Sequence, residues 1–353
     1  MTDYLPDVAT VPFPMPRPED LPGDARAVAA AAPPALAGLA STVADPAHRT
    51  GLADMLAAVR TARADLGPVP STLVVDDPRE SRQNRHNDLA FGIERHHGDP
   101  LTLFVAAALN AHLGILEIAE ERGTGLDETA WCDLIAGFDT LVRWPADPTR
   151  LPPPLPVPGC VSSGRPAPQP LDGLRRWVRG HHVFMVLAQG GTVAVNSLTA
   201  AAEADDEEAA ATAAEVASRI MRACRAALQF AGDANPDQYR SEIRPTLMPP
   251  VAPPQMSGLR WRDHEALVAA LTASGEAWSW LAERRPATLS DFRTALDATY
   301  ESHKGVCGNF VGDQSPSLLA TSRSHRPAVG VIEQFRRLRV GVLPAAPHPD
   351  RPN

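Results

Sequence analysis

Residues 288–310 read TLSDFRTALDATYESHKGVCGNF. Within this stretch Phe292, Leu296, Thr299, His303, Val306 and Phe310 recur at steps of four, three, four, three and four. That is the period of one face of an α-helix. Arg293, Asp297, Glu301 and Lys304 fall on the opposite face. Ser290, followed by Asp291, is suited to start the helix, because a serine oxygen accepts from backbone N–H groups that have no partner in the first turn. His303 sits in the middle of the buried stripe, and Cys307 lies one turn beyond it, about 5–6 Å away on the same face.

Outward from this segment the same spacing recurs over 24–42, 51–66, 77–97, 101–122 and 126–144, and again over 172–202, 206–230, 263–283 and 328–339. Six prolines before position 23 make residues 1–24 an extended arm, lying on the body or free in solvent. Nine prolines between Asp147 and Leu171 interrupt the helices. The expected organisation is therefore a proline-rich arm (1–24), a helical half (25–146), a proline-rich connection (147–171), a second helical half (172–340) and a tail (341–353). Asn235–Pro254 is turn-like, a Gly190-Gly191 break is expected inside 177–198, and Leu73–Val75 is the one short strand candidate. No internal repeat is present. The fold class is all-α.

Composition agrees. The 353 residues hold 36 prolines but only nine Phe, six Trp and three Tyr, so alanine and leucine carry the apolar fraction, which favours packed helices. A formal charge of −9 argues against a general binder of nucleic acid or anionic membranes. The most apolar stretch, Leu103–Ala119, is broken by Asn110, His112 and Glu117, and no segment is expected to span a bilayer. The N-terminus has no basic start followed by an apolar run, so a cytoplasmic location is expected. Cys132, Cys160, Cys224 and Cys307 are scattered and read as thiols, not as a disulfide framework.

The phosphate-binding loop, dinucleotide glycine fingerprint, zinc-protease, Gly-x-Ser-x-Gly and paired Cys-x-x-Cys motifs are all missing. The histidines remain. For His303 with Cys307, spacing leaves three readings open: a core imidazole bonded to a carbonyl beside an inert thiol, a zinc site that needs two more ligands, or a haem site. The usual Cys-x-x-Cys-His attachment motif is absent.

His-x-x-x-Cys at 303–307, preceded by His264 with 38 residues between the histidines, closely resembles an unusual covalent-haem motif. It is that of the 3-methyl-L-tyrosine hydroxylases of saframycin-type antibiotic biosynthesis, within the haem-dependent aromatic oxygenase superfamily. The stretch YRSEIRPTL at 239–247 is similar to a segment of indoleamine dioxygenases, and 292–303 resembles their proximal-histidine helix. The resemblance implies a tryptophan/indoleamine dioxygenase-like helical bundle around a haem held by residues 172–340. It implies iron ligation by His264 and His303 and a thioether from Cys307. It also implies that His264 leaves or swings away before turnover, since an oxidant needs an open position.

By the same resemblance His86, beside Asn87, is the expected catalytic histidine on the oxygen-binding side. Arg244 is the expected substrate-binding group, since a guanidinium accepts a carboxylate bidentately. His96 and His97 read as helix C-terminal residues, His181 and His182 as pocket or core, Tyr300 as wall or core, and Arg260 and Arg262 as possible propionate partners. The implied reaction is conversion of 3-methyl-L-tyrosine to 3-hydroxy-5-methyl-L-tyrosine with hydrogen peroxide, or dioxygen plus a reductant. A homo-oligomer is compatible with it. Two alternatives are a haem oxygenase acting on tryptophan or indole, and a bis-histidine haem protein for electron transfer or sensing.

Overall fold

The computed structural model describes residues 11–159, 169–249, 251–252, 258–312 and 327–344. Cys160 lies outside them, as do residues 1–10 and most of the tail. Helices dominate, and the all-α expectation holds apart from one small sheet.

Helices α1 (Ala25–Ala31) and α2 (Ala35–Ala44) divide the single helix expected over 24–42. Pro33 and Pro34 stand at the break, where the missing N–H and the ring close off the ladder. Helix α3 (Leu52–Leu66) follows the periodicity and stops at Gly67, whose φ is 68°.

The stretch 77–97 is the main departure. Ser81 caps α4 (Arg82–Ala90), Gly92 turns the chain at φ 65°, and Ile93–Gly98 continues as a strand. That strand, β3, lies between β1 (Phe13–Met15), parallel to it, and β2 (Ser71–Leu73), antiparallel. The described part of the proline-rich arm is thus stitched to the body, with Phe13 and Met15 buried. Strands of three residues are too short to show a period of two. His96 and His97 sit on β3, not at a helix end; Ser71 Oγ and His96 Nδ1 are 2.9 Å apart.

Helices α5 (Pro100–Arg122), α6 (Glu128–Arg143), α7 (Asp172–Glu203) and α8 (Glu207–Ala231) match their patterns within two residues. Asp99, Asp127 and Asp206 cap α5, α6 and α8. The helix expected over 263–283 is two: α9 (Arg262–Ala273) and α10 (Gly275–Arg284), parted at Ser274. Helix α11 (Pro286–Val311) begins a turn before Ser290, because Pro286 occupies its first turn, where a missing N–H costs nothing. Helix α12 (Ala328–Val340) closes the described chain.

One core cluster runs from Phe13 to Leu343, centred on α7 packed against α8. Small residues let these helices touch. A Cβ on Gly137 of α6 would come 2.3 Å from that of Ala223, and one on Gly190 would meet Leu141 at 2.3 Å. Gly190-Gly191 is therefore a packing site inside a continuous α7, not a break. The expectation that nothing is apolar enough to span a bilayer also needs correction. Helices α5 (23 residues) and α7 (32 residues) are long and apolar enough by length and composition. However, 72% of the apolar window in each is buried within the protein, so core packing accounts for the apolarity.

His112 of α5 is fully buried and stacked on Phe138 at 4.3 Å, and among the described residues neither ring nitrogen has a hydrogen-bond partner. Burial pushes its pKa down to about 3. The unfolded imidazole titrates near 6.5, so the unfolded chain binds the extra proton between those values. Stability therefore falls as pH drops below about 6.5, with a limiting slope of about 1.4 kcal/mol per pH unit from this group. His112→Phe should remove that slope without loss of stability at pH 7. Urea unfolding from pH 4.5 to 7.5 checks it, and an unchanged slope counts against the assignment.

Candidate active site

Helices α7, α8, α9, α11 and α12, with the turns around 239–247, enclose a cavity of about 330 Å³. That is within the range of small-molecule sites. Its wall is mainly apolar, and among its side chains are His181, His264, His303 and Cys307. The half-buried stripe of α11 supplies much of one side. Phe292 packs inward at the start of the helix, whereas Leu296, Thr299, His303, Val306 and Phe310 reach the cavity in turn. Helical spacing therefore aims His303 and Cys307 into the same space.

Among the described residues no hydrogen bond is found to either ring nitrogen of His303. Burial, and then the nearby Arg339 cation, push its pKa down to about 4. The ring is neutral near pH 7 and keeps a lone pair for a ligand. Cys307 is held as the thiol, its pKa pushed up to about 11 by burial. Cys224, on α8, also lines the cavity, and burial raises its pKa further.

His181 is a wall residue that the periodicity alone left undecided. Its Nδ1 lies 2.7 Å from the Trp177 carbonyl oxygen, so Nδ1–H donates and Nε2 keeps its lone pair. Burial, opposed by the hydrogen bond to the Trp177 carbonyl and aided by the charge of His303 when protonated, lowers its pKa to about 4. Phe91 and Trp177 pack on the ring at 4.5 and 4.3 Å. His182, by contrast, is core: Phe91 O accepts from its Nε2 at 2.6 Å, and it stacks on Phe13 at 4.1 Å.

His264 sits in the first turn of α9, directly after Asp263, and Asp263 belongs to a buried charge cluster. Arg95 of β3 donates to both Asp263 oxygens at 3.0 and 2.5 Å, and to both Asp88 oxygens at 2.8 and 2.9 Å. Gln189 of α7 donates to Asp263 at 2.7 Å, and the wall residue Trp261 donates its indole N–H to Asp88 at 2.7 Å. Arg95 is 5% exposed and Asp263 fully buried. The cluster thus fixes the residues on both sides of Arg262 that face the cavity.

Not every expected residue reaches the wall. His86 is on α4, half-buried beside Arg82 and Arg85, and its neighbour Asn87 is the lining residue. With the chain turning at Gly92, positions 86, 93 and 97 do not form one helical face. Arg244 is exposed, between the lining residues Tyr239 and Leu247. Arg262 is bonded to Asp77 and Glu19, and Arg260 lies 3.6 Å from Glu265. The cation in the wall is instead Arg339 of α12. Its place after a long proline-containing interval left no spacing that could have linked it to His303.

Residues 14–288 match the family described as SfmD 3-methyl-L-tyrosine peroxygenase. A 3-methyl-L-tyrosine peroxygenase of Streptomyces lavendulae is 54% identical over 352 residues, covering 98% of this chain and 94% of the relative. Among solved structures, the crystal structure of reduced SfmD, obtained by soaking with sodium hydrosulfite, is similar at a TM-score of 0.78. It is 50% identical and covers 86% of this chain and all of its own.

Removing Arg95 would leave two buried carboxylates without their cation. Arg95→Ala should cost about 3–5 kcal/mol in urea unfolding, whereas Arg60→Ala, which breaks the exposed pair with Glu117, should cost under about 1 kcal/mol. Equal effects would mean that the cluster does not hold the site.

Proposed function

The chain belongs to the 3-methyl-L-tyrosine peroxygenase family, and from that premise we propose how its cavity carries out the reaction. It is an enzyme, an oxidoreductase that hydroxylates an aromatic amino acid. One oxygen atom of hydrogen peroxide enters the ring of 3-methyl-L-tyrosine, giving 3-hydroxy-5-methyl-L-tyrosine, and the other leaves as water.

The observation that carries the assignment is the meeting of His264, His303 and Cys307 in one apolar cavity. Among the described residues no group of three or more His, Cys, Asp or Glu could hold a bare metal ion. This donor set therefore does not suit zinc, which takes four ligands or three and water. It suits a haem, whose porphyrin brings four nitrogens of its own and asks the protein only for axial groups. Neutral His303, with its nitrogens uncommitted, fits that demand.

In this reading His303 and His264 are the two iron ligands, and Cys307, one turn from His303, holds the porphyrin by a thioether. When bound, the haem supplies the oxidising power and the activation of peroxide. The chain supplies the surroundings. Apolar side chains from α7, α8 and α11 exclude water and pack the substrate ring. His181 Nε2, its tautomer set by the Trp177 carbonyl, accepts a hydrogen bond from a phenol or peroxide O–H and orients it. Of the two histidines, His264 would be the one to give way when an oxidant binds. His86 as the catalytic histidine and Arg244 as a substrate-binding cation are roles for residues beside the wall, next to Asn87 and between Tyr239 and Leu247.

Incubation of the purified enzyme with peroxide and 3-methyl-L-tyrosine should give a product one oxygen heavier. Conversion of tryptophan instead, or no product from either, would favour the two other haem readings. Plain tyrosine should react more slowly by about 10- to 200-fold, the worth of one methyl group in a pocket. Extraction with acidified organic solvent should leave haem on the denatured wild-type chain and release it from Cys307→Ala. His264→Ala should change the resting absorption spectrum. Haem lost from the wild type, or retained by Cys307→Ala, would refute the thioether.

A further inference from the structure

Arg339 is the one Lys, Arg, Asp or Glu among the described residues that line the cavity. Its neighbours on α12 are all paired: Arg336 with Asp297 and Glu333, and Arg337 with Glu333, which Lys304 of α11 also approaches. Arg339 has no carboxylate partner among the described residues. Its Nη1 donates to Tyr300 Oη at 2.6 Å, and the guanidinium lies over the rings of Phe335 and Tyr300 at 5.0 and 5.6 Å. Rings hold its plane and leave its remaining N–H groups without an anion.

A guanidinium on an apolar wall is worth most to a ligand that brings a carboxylate. Tyr300 adds to this. It accepts from Arg339, so its own O–H remains available to donate. Burial raises the Tyr300 pKa, which keeps that proton on the phenol. The pair therefore offers N–H and O–H donors side by side, three residues along α11 from His303. Arg339 and His303 line the same cavity.

We propose that Arg339 and Tyr300 form the carboxylate anchor of this cavity. The chemistry it takes is a carboxylate attached to a flat aromatic body. Two such groups enter the reaction described above, a haem propionate and the α-carboxylate of the amino acid. The first of these rests on the haem reading, and the second does not.

The test has an arm for each source. In the full-length Cys307→Ser chain, where no thioether forms and binding is at equilibrium, haem and its dimethyl ester are titrated by absorbance. If Arg339 holds a propionate, the parent prefers the free acid by about 10- to 100-fold, and R339Q loses the preference. In the second arm, 3-methyl-L-tyrosine and the corresponding amine without its carboxylate are titrated into the chain with Cys307 intact by calorimetry. If Arg339 holds the substrate, the same preference and the same loss appear there. R339K, which keeps the charge but not the planar fork, should fall between. Circular dichroism of all variants identifies any loss of fold. Either lost preference supports the anchor. Unchanged preferences in folded R339Q in both arms overturn it, even though haem binds. Failure of the chain to take up either porphyrin overturns the haem reading, and leaves the amino-acid arm to decide Arg339.

Discussion

The guanidinium of Arg95 lies between two buried carboxylates, and the placing of the site depends on it. It reaches Asp88 on α4 and Asp263 on α9, and also donates to the Pro16 carbonyl of the N-terminal arm at 3.2 Å. Gln189 of α7 joins the same carbonyl and the same Asp263. One cation thus ties its own strand to the arm, to α4 and to α9, and Gln189 brings in α7. Two carboxylates with one guanidinium leave an excess negative charge in the interior. Burial accordingly raises the Asp88 pKa despite the Arg95 contact. Such a cluster is weak evidence for stability, because its desolvation cost offsets much of its attraction. Its directional bonds instead hold the start of α9, and with it Trp261 and His264, at one place on the cavity wall.

The cavity follows from the composition as much as from this cluster. Close helix contacts at Gly137 and Gly190 use alanine-sized neighbours or leave no room for a Cβ, so α6, α7 and α8 form a tight slab. Part of the aromatic content lines the cavity, as Phe91, Trp177, Trp261, Tyr300, Phe310 and Phe335, and part is buried in the core, as Phe104, Trp131, Phe138, Phe230 and Trp278. The sparse aromatic content is therefore divided between the core and the cavity. Much of it surrounds the space where His181, His264, His303 and Cys307 meet, which makes that space apolar, and burial there lowers the pKa of His181 and His303.

Legibility differed from element to element for physical reasons. Helix α11 could be read because its apolar stripe spans more than five turns, and because a residue and the one four places on share a face whatever the surroundings. His303 and Cys307 came with it. The stretch 77–97 could not be read as a helix followed by a strand. Apolar residues at 89, 90 and 93 suit a helix, and only the left-handed Gly92 and pairing with residues far away decide otherwise. His86 lies on the helical part of this stretch, one residue from the wall residue Asn87. Arg262 and Arg339 show the same limit. Both are arginines near helix ends, and only their partners tell them apart, Asp77 and Glu19 for the first and Tyr300 for the second.

By itself the sequence determined the helical class, most helix limits and the His-x-x-x-Cys pair, because these rest on spacing within one helix and on local capping or proline chemistry. The tertiary structure alone decided that His264 and His181 share a cavity with that pair, that Phe13–Met15 form a strand, and that Arg339 is the cation of the wall among the described residues. These are contacts between segments tens to hundreds of residues apart. Long-range packing and the pairing of buried charges set them, and neither leaves a period in the chain.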